Sequence, residues 1–92
     1  MEQAKQNITA LITELDAAQD EASKASASSK LLIETFKALV LGGLEQEAFE
    51  EMAIFSKITW DCQGKSKSAI STSLTEYRTH LRSCAEDALD LF

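Results

Sequence analysis

Apart from carboxylates, the side chains with the chemistry of a metal ligand or a strong nucleophile are few: one histidine, His80, and two cysteines, Cys62 and Cys84, in 92 residues. A structural zinc site takes four ligands at short, regular spacings. One histidine with two cysteines so far apart does not supply them. Di-iron bundles use paired Glu-x-x-His motifs, and the residue three positions before His80 is Tyr77. A cysteine nucleophile needs an adjacent base. His80 lies one helical turn from Cys84, on a neighbouring face. Gly42-Gly43 is too short for a phosphate-cradling loop, and no Gly-x-Ser-x-Gly elbow occurs. The glutamates at 45, 47, 50 and 51 could in principle exchange protons, but glutamates crowded at a helix start ordinarily complement its dipole. The expectation is a protein without catalytic residues, metal or cofactor.

Charge narrows the partners. The net charge is −6 and the pI about 4.6. Nucleic-acid backbones and anionic membrane surfaces are both bound by Lys and Arg, so direct contact with either is not expected. The acidity is concentrated. Residues 45–64 carry five acids and one base, a net −4, against −2 for 1–44 and 0 for 65–92. No apolar run approaches the ~20 residues of a membrane-spanning helix, and no secretory signal is visible at the first residues. With only two cysteines there is no disulfide framework, and a cytoplasmic setting is the default.

The elements that must carry these residues are helical. Hydrophobic residues make up 45% of the chain, proline is absent, and the three glycines fall in two places. Such a composition favours an all-α fold. Over residues 2–41 small and apolar side chains recur at alternating spacings of four and three: Ala4, Ile8, Leu11, Leu15, Ala18, Ala22, Ala25, Ser29, Leu32, Phe36 and Leu39. That is a heptad seam, and it predicts one long first helix over about 2–41. A break near Ala25–Ser29 is its rival, because serine favours caps over helix interiors. Gly42-Gly43 ends the helix.

A second helix is expected over about 44–63, stopping at Gly64, and a third over about 67–91 with the seam Ile70, Leu74, Tyr77, Leu81, Cys84, Ala88, Leu91. Ser73-x-x-Glu76 offers a capping box that would start the third helix later, and the second and third could also be one helix bent at Gly64. The overall expectation is a single helical domain: an antiparallel hairpin, or three-helix arrangement, with coiled-coil-like packing. In that hairpin Cys62 faces residues near 69–70. Cys84 is then some ~20 Å further along at ~1.5 Å per residue, too far for a disulfide.

The second helix is apolar on two sides. One stripe is Leu44, Ala48, Met52, Phe55, Ile58 and Cys62; the other is Phe49, Ala53, Ser56 and Trp60. A helix packed on a single neighbour needs one such stripe. Phe49, Ala53 and Trp60, with Glu45, Glu47, Glu50 and Glu51 beside them, are therefore the candidate partner-binding residues, aromatic anchors being favoured at interfaces. The end of the first helix is apolar nearly all round, so Leu31, Ile33, Phe36, Val40 and Leu41 are the candidates for self-association, and a homodimer is expected. Functionally this reads as an acidic helical interaction module that binds and regulates or inhibits a partner protein. Inhibitors, antitoxins, immunity proteins and chaperone-like adaptors, some phage-encoded, share that size and shape, although shape alone does not confer function. Two alternatives stand beside it: a purely structural self-assembling bundle, and an acidic mimic occupying a groove meant for nucleic acid.

Overall fold

The computed structural model describes residues 2–91, and within them the chain is all-helical: α1 Glu2–Ala17, α2 Glu21–Leu41, α3 Glu45–Asp61 and α4 Lys67–Leu89. The expected long first helix is two helices. Asp20 takes the extended backbone of an N-cap (φ −99°, ψ 160°), and α2 starts from its carbonyl, which accepts from the Lys24 N–H at 3.0 Å. Asp is a favoured N-cap and Glu21 behind it suits the helix dipole, so local chemistry permits a stop where the heptad pattern ran through. The serine-rich segment 25–29, the rival break, is helical; there the Ser28 hydroxyl donates back to the Lys24 carbonyl at 2.7 Å.

The break resets the buried face. In α1 the seam holds, with Ile8 and Leu15 buried, joined by Ile12. Beyond it Ala22, Ala25 and Ser29 point to solvent. The buried face of α2 is instead Ala27, Ser28, Leu31, Leu32, Thr35, Ala38 and Leu39. The three-residue turn lets α1 fold back antiparallel on α2. Lys30 accordingly sits 3.9 Å from Glu14, and the Asn7 amide donates to Glu34 at 3.4 Å.

Glycine then sets both later turns. Gly43 adopts φ +81°, and the N–H groups of Leu44 and Gly43 return to the carbonyls of Leu39 (2.8 Å) and Val40 (3.1 Å), which is a Schellman stop. Gly64, at φ +77°, separates α3 from α4, so the two are distinct helices. Ser66 caps α4, its hydroxyl accepting from the Ala69 N–H at 3.2 Å, which places the start ahead of Ser73.

The helices run up, down, up, down. α2 is the hub and packs on all three others, while α1 and α3 do not touch. The result is a slab with extents of 40 × 28 × 15 Å. Its core combines the α1 and α2 seams with Ala48, Tyr77, Leu81, Ala85 and Ala88. Arg78 marks where that core ends: nearly buried, it donates to Glu21, at the very start of α2, at 3.0 Å. The first ten residues of α4 and the facing C-terminal half of α3 therefore project past the α1–α2 turn. None of residues 52–76 is fully buried. No helix among the described residues is long and apolar enough to cross a membrane.

Candidate partner-binding surface on the third helix

The stripe predicted to face inward on α3 does so in part: Ala48 is buried and Leu44, Phe55 and Ile58 pack against the core. Met52 is instead 38% exposed at the edge of that face, and Ile54, outside the predicted stripe, packs inward beside it. The Phe55 ring lies 5.6 Å from that of Tyr77. The opposite stripe is left to solvent: Phe49 is 63% and Trp60 71% exposed, with Ala53 and Ser56 exposed between them. At 3.6 residues per turn these four occupy an arc of only about 60°, and Phe49 and Trp60 stand about 16 Å apart along the axis. Phe49 is held from behind. Its ring meets Phe36 of α2 edge-on at 5.9 Å and an interplanar angle of 76°, a preferred aromatic geometry that fixes the ring without burying it.

That contact joins α3 to the end of α2. Ile33 is 53% and Leu41 64% exposed, and Val40 is also open. Of the residues expected to mediate self-association, Leu31 does not belong with them. It is wholly buried in its own chain and is a core residue, because the new start of α2 rotates it inward. Phe36 is half-buried against Phe49.

The glutamates divide. Glu45 and Glu47 occupy the first turn of α3, and Glu50 accepts from the Gln46 amide at 3.3 Å on the exposed flank. Glu51 is different. Its side chain is only 12% exposed and turns toward α4, where its carboxylate accepts from His80 Nε2 at 3.0 and 3.1 Å. It is a tether between helices rather than part of an outward acidic face. Sequence reading missed this pair; the signal was a lone histidine on α4 and a glutamate on the face of α3 turned toward it.

Beside that tether lies a cleft of about 240 Å³, lined by Leu39, Leu44, Glu51, Cys84, Ala88 and Leu91 among others. Burial first, and the Glu51 carboxylate second, push the Cys84 thiol up to about 12. A thiol in that state is a packing residue, since the thiolate is the nucleophile. Both cysteines are free and half-buried. Among the described residues no three His, Cys, Asp or Glu side chains gather as for a metal ion. Comparison with protein-family models, with curated proteins and with solved structures finds nothing that matches this chain.

Proposed function

We propose that this chain is a protein–protein interaction module that binds and regulates or inhibits a partner protein, with the outer face of α3 as a docking surface for another polypeptide. The observation that carries this reading is the pair of large aromatics, Phe49 and Trp60, standing mostly in solvent on a helix whose other face already satisfies the fold. Isolated exposed apolar residues are ordinary, but a contiguous apolar patch on a small chain marks an interaction site. The acids around the start of the stripe, Glu45, Glu47 and Glu50, would steer a basic partner toward it. Chemistry on the bound partner has little support: Cys84 is held as a thiol, and His80 is engaged by Glu51. A regulator of this kind works in the cytoplasm, without cofactor.

The test is paired capture. Tagged wild-type chain and a Phe49→Ser/Trp60→Ala variant, matched in helicity, are exposed to host extract and cross-linked. Proteins retained by the first and lost by the second are the expected result. Identical retention by both would remove α3 from the binding surface.

A further inference from the structure

The outer stripe of α3 has a property that its exposure alone does not require. Phe49, Ala53, Ser56 and Trp60 are spaced four, three and four, so the stripe reads the same in both directions about a point between Ile54 and Phe55. Two copies of α3 laid antiparallel across a two-fold axis at that point set Phe49 of one opposite Trp60 of the other, at both ends. The small pair Ala53 and Ser56 meet in the middle. Large groups at the ends and small ones at the centre allow the ~8–10 Å approach of packed helices while each aromatic gains a partner.

The charges obey the same symmetry. Glu50 and Lys57 lie on one flank of the stripe, both exposed. In a two-fold antiparallel pair each flank meets its own copy. Glu50 then falls about 3 Å along the axis from the partner copy's lysine at position 57, at 1.5 Å per residue, and this happens twice. Glu45, near the start of α3, reaches the level of Gly64 and Lys65 on the other copy. A parallel pairing would instead leave Glu50 about 10 Å along the axis from the other copy's lysine at position 57. α1 does not touch α3, and the one stripe residue that meets another helix, Phe49 against Phe36 of α2, keeps its ring 63% exposed.

From this we infer that the polypeptide covering α3 is a second copy of the chain, in an isologous dimer whose centre is the antiparallel α3–α3 pair with Phe49 against Trp60 and Glu50 against Lys57. The inference rests on the reading of α3 as a docking face and names its occupant. It assigns self-association to α3, and leaves Ile33, Val40 and Leu41 at the end of α2 as the apolar surface still open to a foreign protein.

Trp60 is the only tryptophan, so its emission reports on this face directly. The chain alone, at about 100 µM, which saturates any interface of micromolar affinity, should show twice the 10.1 kDa chain mass by light scattering. Trp60 emission should shift to the blue from dilute to concentrated solution. Glu50→Lys and Lys57→Glu should each be monomeric at concentrations where the wild type is paired, and mixing the two should restore a dimer containing one of each. A monomeric wild type with unshifted emission overturns the inference. Should that monomer still lose a captured protein on Phe49→Ser/Trp60→Ala, the docking reading survives and only the occupant is wrong. A dimer unaffected by either charge reversal, with Trp60 emission still that of an exposed indole, also overturns it, because the copies then meet elsewhere.

Discussion

The body of the slab and its overhang are made from the same kinds of helix and differ in how many neighbours each helix has. In the body, α1, α2 and the C-terminal half of α4 bring Ile8, Leu31, Thr35 and Leu81 completely out of solvent. In the overhang, α3 beyond Met52 and α4 before Tyr77 hold no fully buried residue: Ile54, Phe55 and Ile58 reach only the edge of the core, and Ile70 and Leu74 are half-covered at best. Two helices can hide one face apiece. A helix with two apolar faces, as α3 has, must leave one in water until another chain arrives. The contrast separates residues that hold the fold from residues left free for recognition.

The largest expected difference follows directly. Leu81→Ala or Leu31→Ala removes a fully buried side chain and should lower unfolding free energy by about 2–5 kcal/mol. That is a large share of the ~5–14 kcal/mol expected of a domain this size at ~0.05–0.15 kcal/mol per residue. Trp60→Ala at low-micromolar concentration should change it by no more than about 0.5 kcal/mol, as for other surface positions. Urea melts followed by circular dichroism check both. A Trp60→Ala chain as unstable as Leu81→Ala would erase the distinction between body and overhang.

The sequence carried most of this contrast but misplaced its cause. The two stripes of α3 and the α4 seam through Tyr77, Leu81 and Ala88 were legible because each is a local periodicity, and the helix ends at Gly43 and Gly64 were legible because glycine takes positive φ without strain. The break at Ala18–Asp20 was not. Ala18 and Ala22 continue the heptad count, and alanine fits an exposed or a buried position equally well, so the pattern could not show that the seam had changed phase. With one ~60 Å helix in mind, the whole length of α3 and α4 would have had a surface to lie on. Folding α1 back halves that platform. Leu31 moved from interface to core for the same reason, and Glu51 left the acidic face because the position of α4 relative to α3 is a tertiary fact that no spacing encodes.

Cys84 lies inside the body, in the α3–α4 cleft beside Leu39 and Ala88, and tests how far the overhang reaches. With its thiol pushed up to about 12 by burial and by Glu51, the thiolate fraction at pH 8 is far below that of an unfolded cysteine of pKa ~8.5. In a Cys62→Ser background, alkylation by iodoacetamide should be slower in the folded protein than in urea by a hundredfold or more. Equal rates would mean that the α3–α4 cleft is open to water down to Ala88 and that the overhang reaches past Tyr77 into the body.

Two hydroxyls test how dry the body is. Thr35 Oγ1 and the Tyr77 hydroxyl are buried and find no hydrogen-bond partner among the described residues, and burial, with Glu51 nearby, drives the Tyr77 phenol well above its usual range. A buried polar group left unpaired costs about 1–3 kcal/mol, and replacing it by an apolar group of the same shape recovers part of that. Thr35→Val and Tyr77→Phe should each raise stability by about 1 kcal/mol in the same melts. A loss instead would mean that each hydroxyl is hydrogen-bonded and that solvent reaches the hub helix.

The smallest expected effect concerns how the outer helices are fastened to α4. On the body side, Arg82 donates to both oxygens of Asp16 at 2.8 and 2.7 Å and also to Glu86, clamping the end of α1. At the border with the overhang, α3 is tied by Glu51 and His80. Hydrogen bonding from Arg82, aided by its charge, holds the Asp16 carboxyl below the ordinary aspartate value of 3.8. A carboxyl depressed in the folded state favours folding above its unfolded value. That contribution fades as pH falls from about 4 through the lower folded value. Both partners stand largely in solvent, so the effect is modest and screened by salt. Asp16→Asn should therefore flatten the acid limb of the stability profile slightly between about pH 4 and pH 2 and leave it unchanged above pH 5 apart from a constant offset. Because the fork grips α1 and not α3, the same substitution should leave the concentration dependence of Trp60 emission untouched. A shift in that dependence would couple the clamp to the docking face and join the two regions that the packing separates.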